Sequence, residues 1–181
     1  MTPFVKELKE KNIAEYLLYM WMDEDLIRAN GADEDLLERN VVLRYPPEEQ
    51  ETVRQWYKDL LQMMLEEGVR EKGHLQINRN VVAKLTELHL SLSNSPRFPM
   101  YASAYFKALP FIVELRGKQG ATPLPEIETC LEALYGWFML RLQQKEVSEA
   151  TQKALQPIVN LISLLANYYA KDRRGEIKWE E

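Results

Sequence analysis

Apolar residues recur every three or four positions along most of this chain, in blocks divided by glycine and proline, and that spacing predicts helices. A first helix is expected from about Asn12, whose side chain suits an N-cap, to Asn30, with Gly31 as a left-handed C-cap. A short helix follows from near Asp33 to Val42. Pro47 then stands where a first helical turn tolerates proline, and Val53, Trp56, Tyr57, Leu60, Met63 and Met64 draw one apolar face running up to Gly68. Val81, Leu85, Leu88 and Leu92 mark a fourth helix ending near Ser93, before the loop 94–99. The fifth carries Tyr101, Tyr105, Ala108, Phe111, Ile112 and Leu115. A sixth opens after Pro125 and runs to Leu142, and a seventh follows the N-cap candidate Ser148 as far as Tyr169. Strand-type alternation lasts nowhere beyond a few residues.

The expected fold is therefore all-α, a bundle of about six or seven mostly antiparallel helices around one core. A single helical domain, 1–181, is expected, with the loop 94–99 as the place where it would divide. No 34-residue self-similarity is present, which weighs against the alternative of a helical-hairpin solenoid. Pro110 and Pro157 fall inside helical patterns, and each removes an N–H from the ladder and predicts a kink. Gly136, in mid-helix, predicts close approach of another helix or of a ligand.

Composition supports one globular domain: 46% of the 181 residues are apolar and 28% are charged. Lys and Arg number 23 against 28 Asp and Glu, a net charge of -5 that argues against nonspecific nucleic-acid binding and against adhesion to an anionic membrane. The polar N-terminal stretch lacks the apolar core of a secretory signal. The longest apolar run, Tyr16 to Met22, is far short of the about twenty residues a membrane span requires. A cytoplasmic location is expected.

The segment Ile13-Ala-Glu-Tyr-Leu-Leu-Tyr-Met-Trp-Met-Asp-Glu-Asp-Leu-Ile-Arg-Ala-Asn-Gly31 resembles the opening of a bacterial domain-of-unknown-function family of all-helical cytoplasmic proteins. The resemblance implies a fold and a compartment; the family has no assigned activity, so it supplies no site residue.

Chemistry-bearing residues are few. The lone Cys130 excludes an intrachain disulfide and reads as an inert buried thiol. A di-iron bundle needs two Glu-x-x-His pairs, and only Glu71-x-x-His74 fits, in a stretch whose glycines predict a loop. No metal and no cofactor is expected. His89, between Leu85, Leu88 and Leu92, reads as a core histidine before it reads as a base. Arg116-Gly-Lys-Gln-Gly120 offers backbone N–H groups and cations to a phosphate, but reads first as a helix end with Gly117 at the cap. Ile177 and Trp179, in a charged tail, are candidate anchors. Nucleotide-binding, zinc-protease and hydrolase motifs are all missing, and no catalytic residue is assigned.

The sharpest expectation concerns the first helix. Ile13, Leu17, Met20, Glu24 and Ile27 share one arc, which sets a carboxylate in the middle of the most apolar face. It should be partly buried and either paired or protonated, with Arg28 one turn on and with Tyr16, Tyr19 and residues from other helices as further donors. Two functions follow from this reading. The first is a noncatalytic helical protein that binds another protein or itself. The alternative is a small-molecule-binding bundle or small enzyme with a pocket built from Glu24, Arg28, Tyr16, Tyr19 and Trp21.

Overall fold

A computed structural model describes residues 2–179, and among them every regular element is helical. In chain order these are α1 (Pro3–Lys11), α2 (Ile13–Ala29), α3 (Glu34–Asn40), a 3-10 turn (Val42–Arg44), α4 (Pro47–Glu66), α5 (Gln76–Ser93), α6 (Pro99–Gly117), α7 (Glu126–Leu142) and α8 (Glu149–Arg173). The fold is all-α, and α1 is the helix that the apolar pattern missed. Its segment buries a single residue, Val5, so no apolar stripe marks it; it starts where Thr2 Oγ1 accepts the Val5 N–H at 3.3 Å.

Caps explain several of the ends. Asn12 Oδ1 accepts the Ala14 N–H at 3.2 Å, Asp33 Oδ1 the Leu36 N–H at 2.8 Å, and Ser148 Oγ the Thr151 N–H at 3.2 Å. Gly31 and Gly68 take φ of 68° and 69°, the left-handed geometry that ends α2 and α4. Gly117, expected as such a cap, is the last residue of α6 instead. The left-handed turn comes at Gly120, with φ of 88°, because Lys118 bonds back to Leu115 and Arg116 before the chain reverses. Pro110 and Pro157 do lie inside α6 and α8. A Cβ placed at Gly136 meets nothing within 4 Å, so the close approach expected there is absent: the residue faces open space.

The chain forms two compact units. One holds residues up to Lys11 together with Glu15–Asn80; the other holds Asn12–Ala14 and the chain from Val81 on. The change of unit at residues 80–81 falls inside α5, and the loop 94–99 lies wholly in the second unit.

The first unit packs Tyr16, Leu17, Met20 and Trp21 of α2 with Leu60 and Met64 of α4 and with Leu75, all at 2% exposure or less. Burial of a large apolar side chain is worth about 1.5–3 kcal/mol, so these residues supply much of the driving force. In the second unit α6, α7 and α8 pack on one another around Tyr101, Ala108, Ile112, Ile127, Leu131, Ile158 and Leu161. The tail belongs to this unit: Trp179 lies 5.5 Å from the Phe98 ring and donates its indole N–H to Asp172 at 2.8 Å.

Candidate functional site

Asp23 and Glu24, adjacent on α2, are both fully buried. A step of 100° per residue turns them toward different neighbours. Glu24 accepts three hydrogen bonds from the end of the 67–75 loop and the first turn of α5. These come from the Leu75 backbone N–H at 3.0 Å, Asn78 Nδ2 at 2.7 Å and His74 Nδ1 at 2.6 Å. The His74 ring stacks on Trp21 with centroids 4.4 Å apart. Donation of Nδ1–H to the carboxylate fixes the ring's orientation, as a carboxylate does for a catalytic or metal-binding imidazole. Among the described residues no group of three or more His, Cys, Asp or Glu lies in position to hold a metal.

Arg28 is not the partner of Glu24. Its guanidinium pairs with Asp25 at 2.8 Å and donates to the carbonyls of Val69, at 3.1 Å, and Gly73. The loop 67–75 returns past the end of α2 with carbonyls that need donors, and Arg28 supplies them. Asn78 Oδ1, fully buried, has no hydrogen-bond partner among the described residues. Of the residues expected to build a pocket with Glu24, Trp21 lies beside it through His74, and Tyr16 is fully buried under the Lys9 ammonium, 5.2 Å from its ring centre. Tyr19 belongs elsewhere, edge-on to Phe4 at 5.2 Å and lining a cleft with Tyr45. His74, on the other hand, entered the sequence reading only as half of a metal pair. Fifty positions separate it from Glu24, and no local pattern could have joined them.

Asp23 was not foreseen. It accepts Trp56 Nε1–H and Tyr57 O–H of α4, each at 2.8 Å. Burial lifts its carboxyl to about 6, against the lowering effect of those two hydrogen bonds. The same burial and the nearby carboxylate push the Tyr57 and Tyr19 hydroxyls well above the usual phenol value, so both stay neutral donors. On the outer side of Trp56 and Tyr57 lies a cleft of about 620 Å³, which Phe4, Tyr19 and Tyr45 also line.

The second unit has a polar centre of its own. His89, 3% exposed, meets Tyr101 Oη through Nδ1 at 2.8 Å, and its Nε2 stands 3.7 Å from Glu126. Glu126 accepts the Tyr105 O–H at 2.8 Å and lies 3.8 Å from Arg116. Burial holds the imidazole below its ordinary value, outweighing the opposite pull of Glu126. Cys130, fully buried, has its thiol pushed up to about 12. Arg116 also donates Nε–H to the Leu124 carbonyl at 2.9 Å, so the 116–120 segment closes on its own loop. Between α6 and α8 runs a groove of about 1040 Å³ whose lining includes Ala104, Pro157 and Leu164, with Lys107 and Lys153 beside them. Met100, Phe106 and Val113 stand out from α6 at 74%, 66% and 59% exposure.

No helix among the described residues is long and apolar enough to cross a membrane. No curated protein and no solved structure matches the chain. Residues 3–176 match the model of a family described as Domain of unknown function (DUF4924), and the chain belongs to that family.

Proposed function

We propose that this protein is a noncatalytic interaction module of the cytoplasm whose second unit binds an amphipathic, acidic helix of another protein. The observation that carries the reading is the groove between α6 and α8. Its accessible lining is mainly apolar and comes from two helices, and a helix laid into such a groove presents anchors at every third or fourth residue. The charged residues lining it are Lys107 and Lys153, both cations. Lys153 is held by Glu149 at 2.8 Å, but in an exposed pair that solvent leaves weak and that a partner's carboxylates can replace. The protruding Met100, Phe106 and Val113 add apolar surface on the same helix.

The side chains with chemical potential support the same reading by their engagement inside the fold. Glu24 accepts hydrogen bonds from Leu75, Asn78 and His74, and Cys130 is buried with its thiolate disfavoured. The alternative of a pocket around Glu24 gains less, because internal donors occupy the carboxylate that would anchor the ligand.

A photo-crosslinking amino acid at Ser103, on the groove wall, tests this in cells. The expected product joins it to an acidic amphipathic helical segment of one partner, and Lys107→Glu with Lys153→Glu abolishes that product. A crosslink only to a second copy of the chain, or one that survives the charge reversal, overturns the proposal.

A further inference from the structure

The cleft of about 620 Å³ in the first unit has the size of a small-molecule site and an unusual wall. Phe4 comes from α1, Tyr19 from α2, Tyr45 from the turn before α4, and Trp56 and Tyr57 from α4 itself, so four segments each bring aromatic rings to one opening. A core would explain five rings that seal against one another. Here Phe4 stays 54% exposed and Tyr19 and Tyr45 are only half-buried, which leaves aromatic surface facing the cavity.

The charge around it has one sign. Glu48 and Glu49 stand on the rim, and the lining contains no Lys, Arg or His among the described residues. Both glutamates are exposed and neither makes an ion pair there. They sit in the first turn of α4, whose dipole amounts to about half a positive charge, so two carboxylates leave the rim negative. Behind the wall, Asp23 accepts hydrogen bonds from both Trp56 and Tyr57. A ring that donates to a carboxylate is polarised toward a more negative face, which strengthens its attraction for a cation. The wider field agrees: residues 1–80 contain 17 Asp and Glu against 11 Lys and Arg, while residues 81–181 contain 11 against 12.

We propose that this cleft binds a small organic ammonium ion, free in solution, with its cationic head against the Tyr19 and Tyr45 rings and the Glu48 and Glu49 carboxylates at the mouth. Aromatic faces and acidic rims together recognise a bulky, weakly hydrated cation better than a bare metal ion, which prefers oxygen ligands at short range. A neutral ligand of the same shape gains only the apolar contacts, and an anionic one meets repulsion at the rim.

Choline is a suitable probe, because 3,3-dimethylbutan-1-ol copies its shape without the charge. In calorimetric titrations of the whole protein, choline should bind saturably and at least about tenfold more tightly than the alcohol, the ratio that about 1.4 kcal/mol of cation–π and charge attraction produces. Tyr45→Leu, which keeps bulk and removes a π face, should weaken choline binding about fivefold or more and leave the alcohol unchanged. Glu48→Gln with Glu49→Gln, at exposed unpaired positions where folding is not at stake, should weaken choline and make its affinity insensitive to salt. Equal binding of choline and its neutral isostere overturns the proposal, as does no saturation in the millimolar range. Flotation with phosphatidylcholine vesicles in the absence of binding to free choline overturns it too, by moving the site to a lipid surface.

Discussion

The two units bury opposite chemistry, and the difference shows how far hydrogen bonds offset the burial of charge. The first unit encloses two carboxylates. Asp23 receives two neutral side-chain donors from a single helix, and burial still wins, lifting its carboxyl to about 6. Glu24, one residue on, receives a backbone N–H, an amide and an imidazole, and serves to tie the 67–75 loop and the start of α5 to α2. The second unit encloses a base. The His89 imidazole bonds to Tyr101 and keeps its carboxylate neighbour Glu126 at 3.7 Å and partly in solvent. In both units burial outweighs the neighbours, so acid acts on them with opposite sign: Asp23 favours folding as it gains a proton, and His89 opposes it.

The largest effect is expected where one carboxylate satisfies most donors. Glu24→Ala strands the Leu75 N–H and the Asn78 amide and removes the acceptor from His74, and should destabilise by about 3 kcal/mol or more in urea unfolding. Glu24→Gln keeps a carbonyl for Leu75 and Asn78 and should recover most of that loss. A Glu24→Ala protein of wild-type stability would remove Glu24 from the core of the comparison.

Asp23→Asn isolates the other carboxylate. Its folded value of about 6 lies above the ordinary 3.8, so the native state holds the proton more tightly than the unfolded chain does. That contribution is complete below about pH 4 and is lost as pH rises through 6. At pH 8 the wild type bears the full cost of the buried charge, and Asp23→Asn bears none of it. An asparagine can still accept from Trp56 and donate to Tyr57. The variant should therefore gain on the wild type between pH 4 and pH 8, by an amount of the order of 3 kcal/mol, which is about two pKa units. Stability curves of the two proteins that run parallel across this range would refute the shift.

Much of this was open to a reader of the sequence, and the part that was not has a common cause. Seven helices follow from apolar spacing and caps, and the burial of Glu24 follows from its place between Met20 and Ile27 on one arc. Its partners do not. Arg28 stands at the favourable i+4 spacing, yet the loop carbonyls of Val69 and Gly73 compete for its guanidinium and take it. Asp23 has no neighbour on its own helix that would signal burial; its donors come from α4, more than thirty positions on. The cleft is invisible for the same reason, since Trp56 and Tyr57 fit an apolar stripe on α4 and only their outer faces, beside Tyr19 and Tyr45, form a wall. Periodicity reports what one helix shows to its surroundings, and sites here are made by residues on several.

The smallest effect tests the sign on the other side of the comparison. His89 is held below its ordinary value near 6.5 chiefly by burial, so the native state resists the proton that the unfolded chain accepts. Its contribution is complete above pH 6.5 and is lost as pH falls below it, the reverse of Asp23. The loss should stay modest, because Glu126 faces Nε2 and pulls the other way. His89→Gln carries no titrating group and keeps a polar atom for the Tyr101 hydroxyl. Measured against the wild type, it should lose a constant amount of stability above pH 7, then close the gap below pH 6 as the wild type alone acquires a buried charge. A gap that widens on acidification would mean that Glu126 dominates, and the second unit would then answer to pH with the same sign as the first.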